Sequence, residues 1–157
     1  MMIEILTSLK TDAKTSDEKV NKNKLLLDTT RHMDAVLDGM IYFADKLITA
    51  GEQHDFTKIQ YFPEFHKALE SGNIKNQEWY KRHISEERHH LSAQPPKDVN
   101  LIDVLEYIAD CLMAGSARSS KVYDITLSNN LLQLAFDNTI KMLQKEILVK
   151  EDIKENE

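Results

Sequence analysis

The sequence predicts an all-α fold, a single helical bundle of about five to six helices. Three observations carry that reading. Apolar residues recur at spacings of three and four over long stretches, the period of an amphipathic helix. Only 4 glycines and 3 prolines interrupt 157 residues, sparse punctuation that suits long helices joined by few loops. No segment sustains the alternation of a half-buried strand; "KVYDITL" alternates briefly and stands alone.

The elements follow in order. Residues 1–22 read as a peripheral segment, in which an apolar patch (Met2, Ile3, Ile5, Leu6, Leu9) leads into a polar run. From Asn23 onward, Leu25, Leu26, Thr29, Met33, Val36, Leu37, Met40, Phe43 and Leu47 predict an amphipathic helix to about Ala50, with Gly51 as its C-cap. "EQHDFTKIQYF" reads as a turn or short helical segment. "PEFHKALESG" predicts a short helix with Pro63 in its first turn and Gly72 after its end. "NQEWYKRHISEERHH" predicts another, with Asn76 as N-cap. The paired prolines of "LSAQPPKDV" mark a loop. "NLIDVLEYIADCLMAGSARS" is a strongly apolar, central helix capped by Asn100. After a linker around "SKVYDITLS", "NNLLQLAFDNTIKMLQKEIL" is the last helix. The helical domain therefore spans 23–148, followed by a charged tail, 149–157.

Bulk properties narrow the function classes. The chain has the length of one domain. Its 41% hydrophobic and 29% charged residues are those of an ordinary globular protein. A formal charge of −6 argues against non-specific nucleic-acid binding, which needs a field of Lys and Arg. The lone cysteine, Cys111, forms no internal disulfide, which fits a reducing cytosol. The opening "MMIEILTSLK" lacks a signal-peptide layout, and no apolar run approaches the length of a membrane span. The expected location is the cytoplasm.

The chemistry-bearing side chains are distributed unevenly. His54 and Asp55 are adjacent. His83 and His90 lie seven apart on one predicted helix and so share a face, with His89 one step round. Asp103, Glu106 and Asp110 form a carboxylate stripe on the central helix; Asp103 and Glu106 suit its wet side, whereas Asp110 stands in an apolar run where an unpaired carboxylate is costly. His32 sits among Met33, Val36, Met40 and Phe43. Imidazole nitrogens with carboxylate oxygens are the donor set of first-row divalent metals.

The ordered series His32, His54-Asp55, His83, His89 or His90, and Asp110 resembles the HD-domain superfamily of metal-dependent phosphohydrolases. The string "HDFTK…PEF…HISEERHHL…VNLIDVLEYIADCLMAG" is similar to a small HD-like family common in bacteriophages, over residues 25–140. The resemblance implies one or two divalent transition-metal ions (Mn, Fe, Co, Ni or Zn). His32 would be the first ligand, His54 and Asp55 the signature pair, Asp110 the closing carboxylate, and His83 with His89 or His90 the ligands of two-metal members. It also implies a water-activating site with Asp55 at its centre. Many nucleotide-hydrolysing members carry a glutamate three residues after the paired aspartate. Here that position is Lys58, which can hold a phosphate but cannot act as a carboxylate base. Glu106 or Glu64 would supply the missing carboxylate, or a metal-activated water would suffice.

The activity so implied is hydrolysis of a nucleotide or another small phosphate ester. Lys58, Arg82, Arg88, Arg118 and Lys121 are the cations available to bind phosphate. Tyr123 and Trp79 have faces on which a base could stack, although Trp79 suits packing better, and Cys111 reads as a small core residue. Two other classes compete. One is a di-iron oxygenase on the same scaffold. The other is a non-enzymatic phage product that engages a host factor in the host cytoplasm.

Overall fold

The structure is a computed structural model that describes residues 2–7, 21–122 and 125–151. Among these residues are six α-helices and one two-stranded sheet, so the all-α class holds. The elements are β1 (Ile3–Leu6), α1 (Lys22–Gln53), α2 (Phe56–Gln60), α3 (Phe62–Glu70), α4 (Glu78–Glu86), α5 (Leu101–Ser119), α6 (Asn129–Gln144) and β2 (Ile147–Lys150), with a 3₁₀ turn at Ile74–Asn76. No helix among the described residues is long and apolar enough to cross a membrane. The chain divides into two compact units, Met1–Ala44 with Lys141–Glu157, and Asp45–Ile140. These boundaries differ from the 23–148 domain expected from the sequence and fall inside α1 and α6.

In the first unit, β1 and β2 pair in parallel, Ile3 with Ile147 through Leu6 with Lys150. Ile3 is buried, and the Lys150 ammonium lies 2.7 Å from Glu4 Oε2. The segment read as periphery thus holds a strand, and the expected last helix stops at Gln144, its final residues Ile147 and Leu148 joining the start of the tail in a second strand. At four residues each, the strands are too short to show alternation. The buried residues of α1 are Asp28 and Tyr42. Burial raises the Tyr42 pKa, and the Glu146 carboxylate adds to the effect. The apolar face expected to form a core is instead exposed at Leu26, Met33, Val36, Leu37 and Met40.

In the second unit, α1 runs through Gly51 to Gln53, because a glycine weakens a helix without ending it. Pro63 stands in the first turn of α3, and Gly72 follows its end at φ 63, a left-handed conformation glycine adopts readily. Gln77 rather than Asn76 precedes α4. Asn100 caps α5 as expected: its Oδ1 accepts from the N–H of Ile102 at 2.8 Å, and Asp103 Oδ2 accepts from the Asn100 N–H at 2.8 Å. The Thr139 hydroxyl accepts from Leu101 N–H at 2.8 Å and donates to the Ala135 carbonyl. That gives another free N–H at the start of α5 a partner and fastens α6 to it. Between the two helices lies a core of Leu91, Val99, Val104 and Ala135, with Tyr107, Ile108 and Leu131 against it.

Candidate metal centre

The centre is built from three short-range devices in the second unit. The first is the turn at the end of α1. Asp55 takes φ 58, a left-handed conformation that Asp tolerates better than most residues with a Cβ. The chain reverses there into α2. His54 then meets α5: its Nδ1 is 3.0 Å from Glu106 Oε1 and its Nε2 is 3.6 Å from Asp110 Oδ1. Glu106 and Asp110 are four residues apart and share a face of α5.

The second device is the end of α4. The helix stops at Glu86, and Glu87 is extended at φ −87, ψ 118. Glu87 Oε1 accepts from the Thr57 N–H at 2.9 Å and from the Thr57 hydroxyl at 2.6 Å. His89 and His90 therefore lie beyond the helix, in turns closed by Leu91 N–H to the His89 carbonyl at 2.7 Å and Gln94 N–H to the His90 carbonyl at 2.9 Å. This corrects the expectation that His83 and His90 share one helix face. They still meet, Nε2 to Nε2 at 2.8 Å, because the chain folds back. Adjacent residues in a turn are not held about 100° apart as on a helix, so both His89 and His90 reach the cluster.

The third device is a clamp. Arg88 Nε donates to Asp103 Oδ1 at 2.7 Å and Nη2 donates to Asp103 Oδ2 at 2.8 Å, a two-point fork. Asp98 takes a further N–H at 3.1 Å. These carboxylates push the Arg88 pKa up from its already high value. The clamp fixes the residue next to His89 against the capped start of α5. Asp103, expected on the wet side, is buried.

Hydrogen bonds set which ring nitrogens face inward. A carboxylate only accepts, so the Thr57 hydroxyl spends its proton on Glu87 and must accept from His83 Nδ1, 2.7 Å away. The lone pair of neutral His83 is then on Nε2, which accepts from His90 Nε2 at 2.8 Å and lies 3.4 Å from Asp55 Oδ1. Burial lowers the His83 pKa, and burial with the neighbouring imidazoles lowers that of His90 to about 4. Both are neutral imidazoles at pH 7. The His54 pKa is raised, first by its hydrogen bond to Glu106. Burial would raise Glu106, but His54 and His89 beside it outweigh that and hold it down at about 2. Burial would likewise raise Asp55; the Lys58 ammonium paired with it wins and lowers it.

The donors suit a metal. Two groups have one donor atom from each member within 4.8 Å of the others: His54, His89 and Asp110, and Asp55, His89 and His90. An ion about 2.0–2.2 Å from each nitrogen or oxygen donor spans pairs up to about 4.4 Å apart. The separations of 3.4, 3.6 and 3.8 Å between imidazole Nε2 atoms and Asp55 or Asp110 fall within that reach. Asp55 Oδ1 is buried without a hydrogen bond, a group that burial alone makes expensive. His89 Nδ1 is 3.0 Å from Glu106 Oε1 but lies off the bonding direction, so it also lacks a hydrogen bond. His54 has the arrangement of a metal-ligating histidine, one nitrogen on a carboxylate and the other on the cluster.

The remaining candidates are placed differently. His32 belongs to the first unit, where it lines a cavity with Arg31, Asp34 and Asp38. Arg88 is committed to Asp103 and Asp98 and is not a free phosphate-binding cation. Arg82 stacks over the Tyr61 ring at 4.7 Å. Arg118 and Lys121 are exposed at and beyond the last turn of α5. Trp79 is buried and stacked on Phe65 and His83 at centroid distances of 4.5 and 4.9 Å, which is packing. Burial raises the Cys111 pKa, so it carries no reactive thiolate. Tyr123 lies outside the described residues. Sequence reasoning missed Thr57, Glu87 and the clamping role of Asp103.

Comparison of the chain with protein-family models, curated proteins and solved structures gives no match.

Proposed function

We propose that the Asp45–Ile140 unit holds one or two divalent transition-metal ions among His54, Asp55, His83, His89, His90 and Asp110, and hydrolyses a small phosphate ester there. One observation carries this reading. Two three-donor groups share His89; Asp55 Oδ1, in one of them, is buried without a hydrogen bond, and in the other His54 is held through Nδ1 on Glu106 with its Nε2 toward Asp110. When bound, such an ion supplies Lewis acidity toward a phosphoryl oxygen and acidifies water.

The chain's own residues do the rest. Glu106 Oε1 holds the His54 ring and neighbours His89, so Glu106 positions ligands and does not take the proton of the attacking water. Lys58, paired with Asp55, is the cation placed to turn toward a phosphoryl oxygen. A cavity of about 330 Å³ opens beside His54 and Asp110, walled by Leu47, Ala50, Leu105 and Ala109. Its apolar wall accepts the organic part of a substrate. A nucleotide or similar small phosphorylated molecule in the cytoplasm fits this reading. The same cavity has no Lys or Arg in its wall, which favours a second reading, oxygen chemistry on an apolar substrate at a di-iron form of the site.

One experiment separates the two. Protein reconstituted with manganese, cobalt, zinc or iron is assayed for phosphate release on a panel of nucleotides and aryl phosphates, and for oxygen uptake with iron. The proposal expects metal-dependent phosphate release that Asp55→Ala abolishes while helical circular dichroism is kept. Turnover equal in Asp55→Ala overturns it; iron-dependent oxygen uptake without phosphate release selects the second reading.

A further inference from the structure

The long helix α1 is apolar on the side opposite its buried residues, with Met40 at the edge of that side lining a cavity with Ile5 and Leu6. Asp28, Ala35 and Tyr42 recur every seven residues and mark the inward side, where Asp28 and Tyr42 are buried. At about 100° per residue, Leu26, Thr30, Met33, Leu37, Met40 and Ala44 centre on the opposite side. All six are exposed, Leu26 by 66%, Met33 by 64%, Leu37 by 57% and Met40 by 61%. Their spacing is four, three, four, three, four. That is the 3.5-residue repeat of a helix wound left-handedly on another long helix.

We propose that this seam pairs with the same seam of a second copy, antiparallel, to form a two-fold dimer. Area supports a copy of the chain as the occupant. Exposed side chains of this kind offer on the order of 100 Å² each. Six of them give two copies roughly 1,200 Å², the lower bound of stable interfaces. A two-fold contact also needs one self-complementary patch, and this seam is one. Paired antiparallel about the midpoint of Met33 and Leu37, Leu26 meets Ala44, Met40 meets Thr30 and Met33 meets Leu37 of the other copy. Large faces small in the outer layers, the arrangement that fills space. Parallel pairing would set each residue against itself, leaving a gap at Ala44 and a hydroxyl pair at Thr30. This inference does not depend on the metal centre.

Sedimentation equilibrium of the full chain, 18.1 kDa, from 1 to 100 µM should give twice that mass. A monomer mass throughout overturns the proposal. The double variant Met33→Glu, Leu37→Glu should raise the dimer dissociation constant at least 100-fold with its helical circular dichroism kept; an unchanged dimer overturns it. Cross-linking covers the case in which that variant fails to fold. In a Cys111→Ser background, Thr30→Cys mixed with Met40→Cys should form a disulfide-linked pair on mild oxidation, whereas Thr30→Cys alone should not. Cross-linking of Thr30→Cys alone, or none in the mixture, overturns the antiparallel dimer.

Discussion

The two units treat polarity in opposite ways. In the second, Leu91, Val99, Val104 and Ala135 are inside, and the polar groups Thr57, His83, Glu87, His89 and Asp103 are buried with them. In the first, α1 turns Asp28 and Tyr42 inward and leaves Leu26, Met33, Leu37 and Met40 in solvent. A polar cluster is affordable only where each member finds a partner. The second unit supplies partners through one hydroxyl, one carboxylate and one guanidinium clamp, and leaves a few donor atoms bare at the centre. Its surplus is unpartnered polar atoms, Asp55 Oδ1 and His89 Nδ1, which the proposed metal reading assigns to a cation site. The surplus of the first unit is apolar surface, which calls for another helix.

Six substitutions would break or sharpen this contrast. The largest effect is expected at His89, the residue common to both donor groups. His89→Ala should weaken metal binding by more than about 100-fold, beyond the 10–100-fold typical of a lost supporting group. Titration followed by elemental analysis reads it, and Asp110→Asn should remove only part of the bound metal if two ions are held. Next is Asp103→Ala. It strips the cap from α5 and the fork from Arg88, and should destabilise by about 2–3 kcal/mol in urea unfolding; the figure is held down because Arg88 is partly exposed. Thr57→Val leaves Glu87 and His83 Nδ1 without their hydroxyl partner. A loss of about 1–3 kcal/mol in stability and 10–100-fold in metal affinity should follow, measured on one sample by denaturation and titration. The smallest effect is in the first unit. Leu37→Ala should change the unfolding free energy of the monomeric chain by less than about 0.5 kcal/mol, whereas Val99→Ala in the second unit's core costs about 2 kcal/mol.

Much of the second unit was legible in the chain. The helical class follows from spacing, and the Asn100 cap follows from residue type. His54, Asp55, His89, His90 and Asp110 stood out through the ordered series that resembles HD-domain proteins, and Asp110 also because a carboxylate in an apolar run is costly unless paired. Thr57 and Glu87 did not stand out, because a hydroxyl and a carboxylate 30 residues apart carry no spacing signal. The end of α4 was misplaced for the same reason: it depends on a distant Thr57, not on a local breaker. Glycine at 51 suggested a stop that the helix does not make; α1 runs on to Gln53. The pairing of Ile3–Leu6 with Ile147–Lys150 joins segments with nearly the whole chain between them, and four-residue strands leave no period to read.

The central claim is that His54, Asp55, His89, His90 and Asp110 surround a metal ion. Anomalous scattering at the absorption edge of the added metal, from a crystal of the reconstituted protein, tests it most directly. The account predicts a peak about 2.0–2.3 Å from His89 Nε2 and within bonding distance of Asp55 or Asp110. A peak at His32 with none at His89, or no peak after loading, would contradict it.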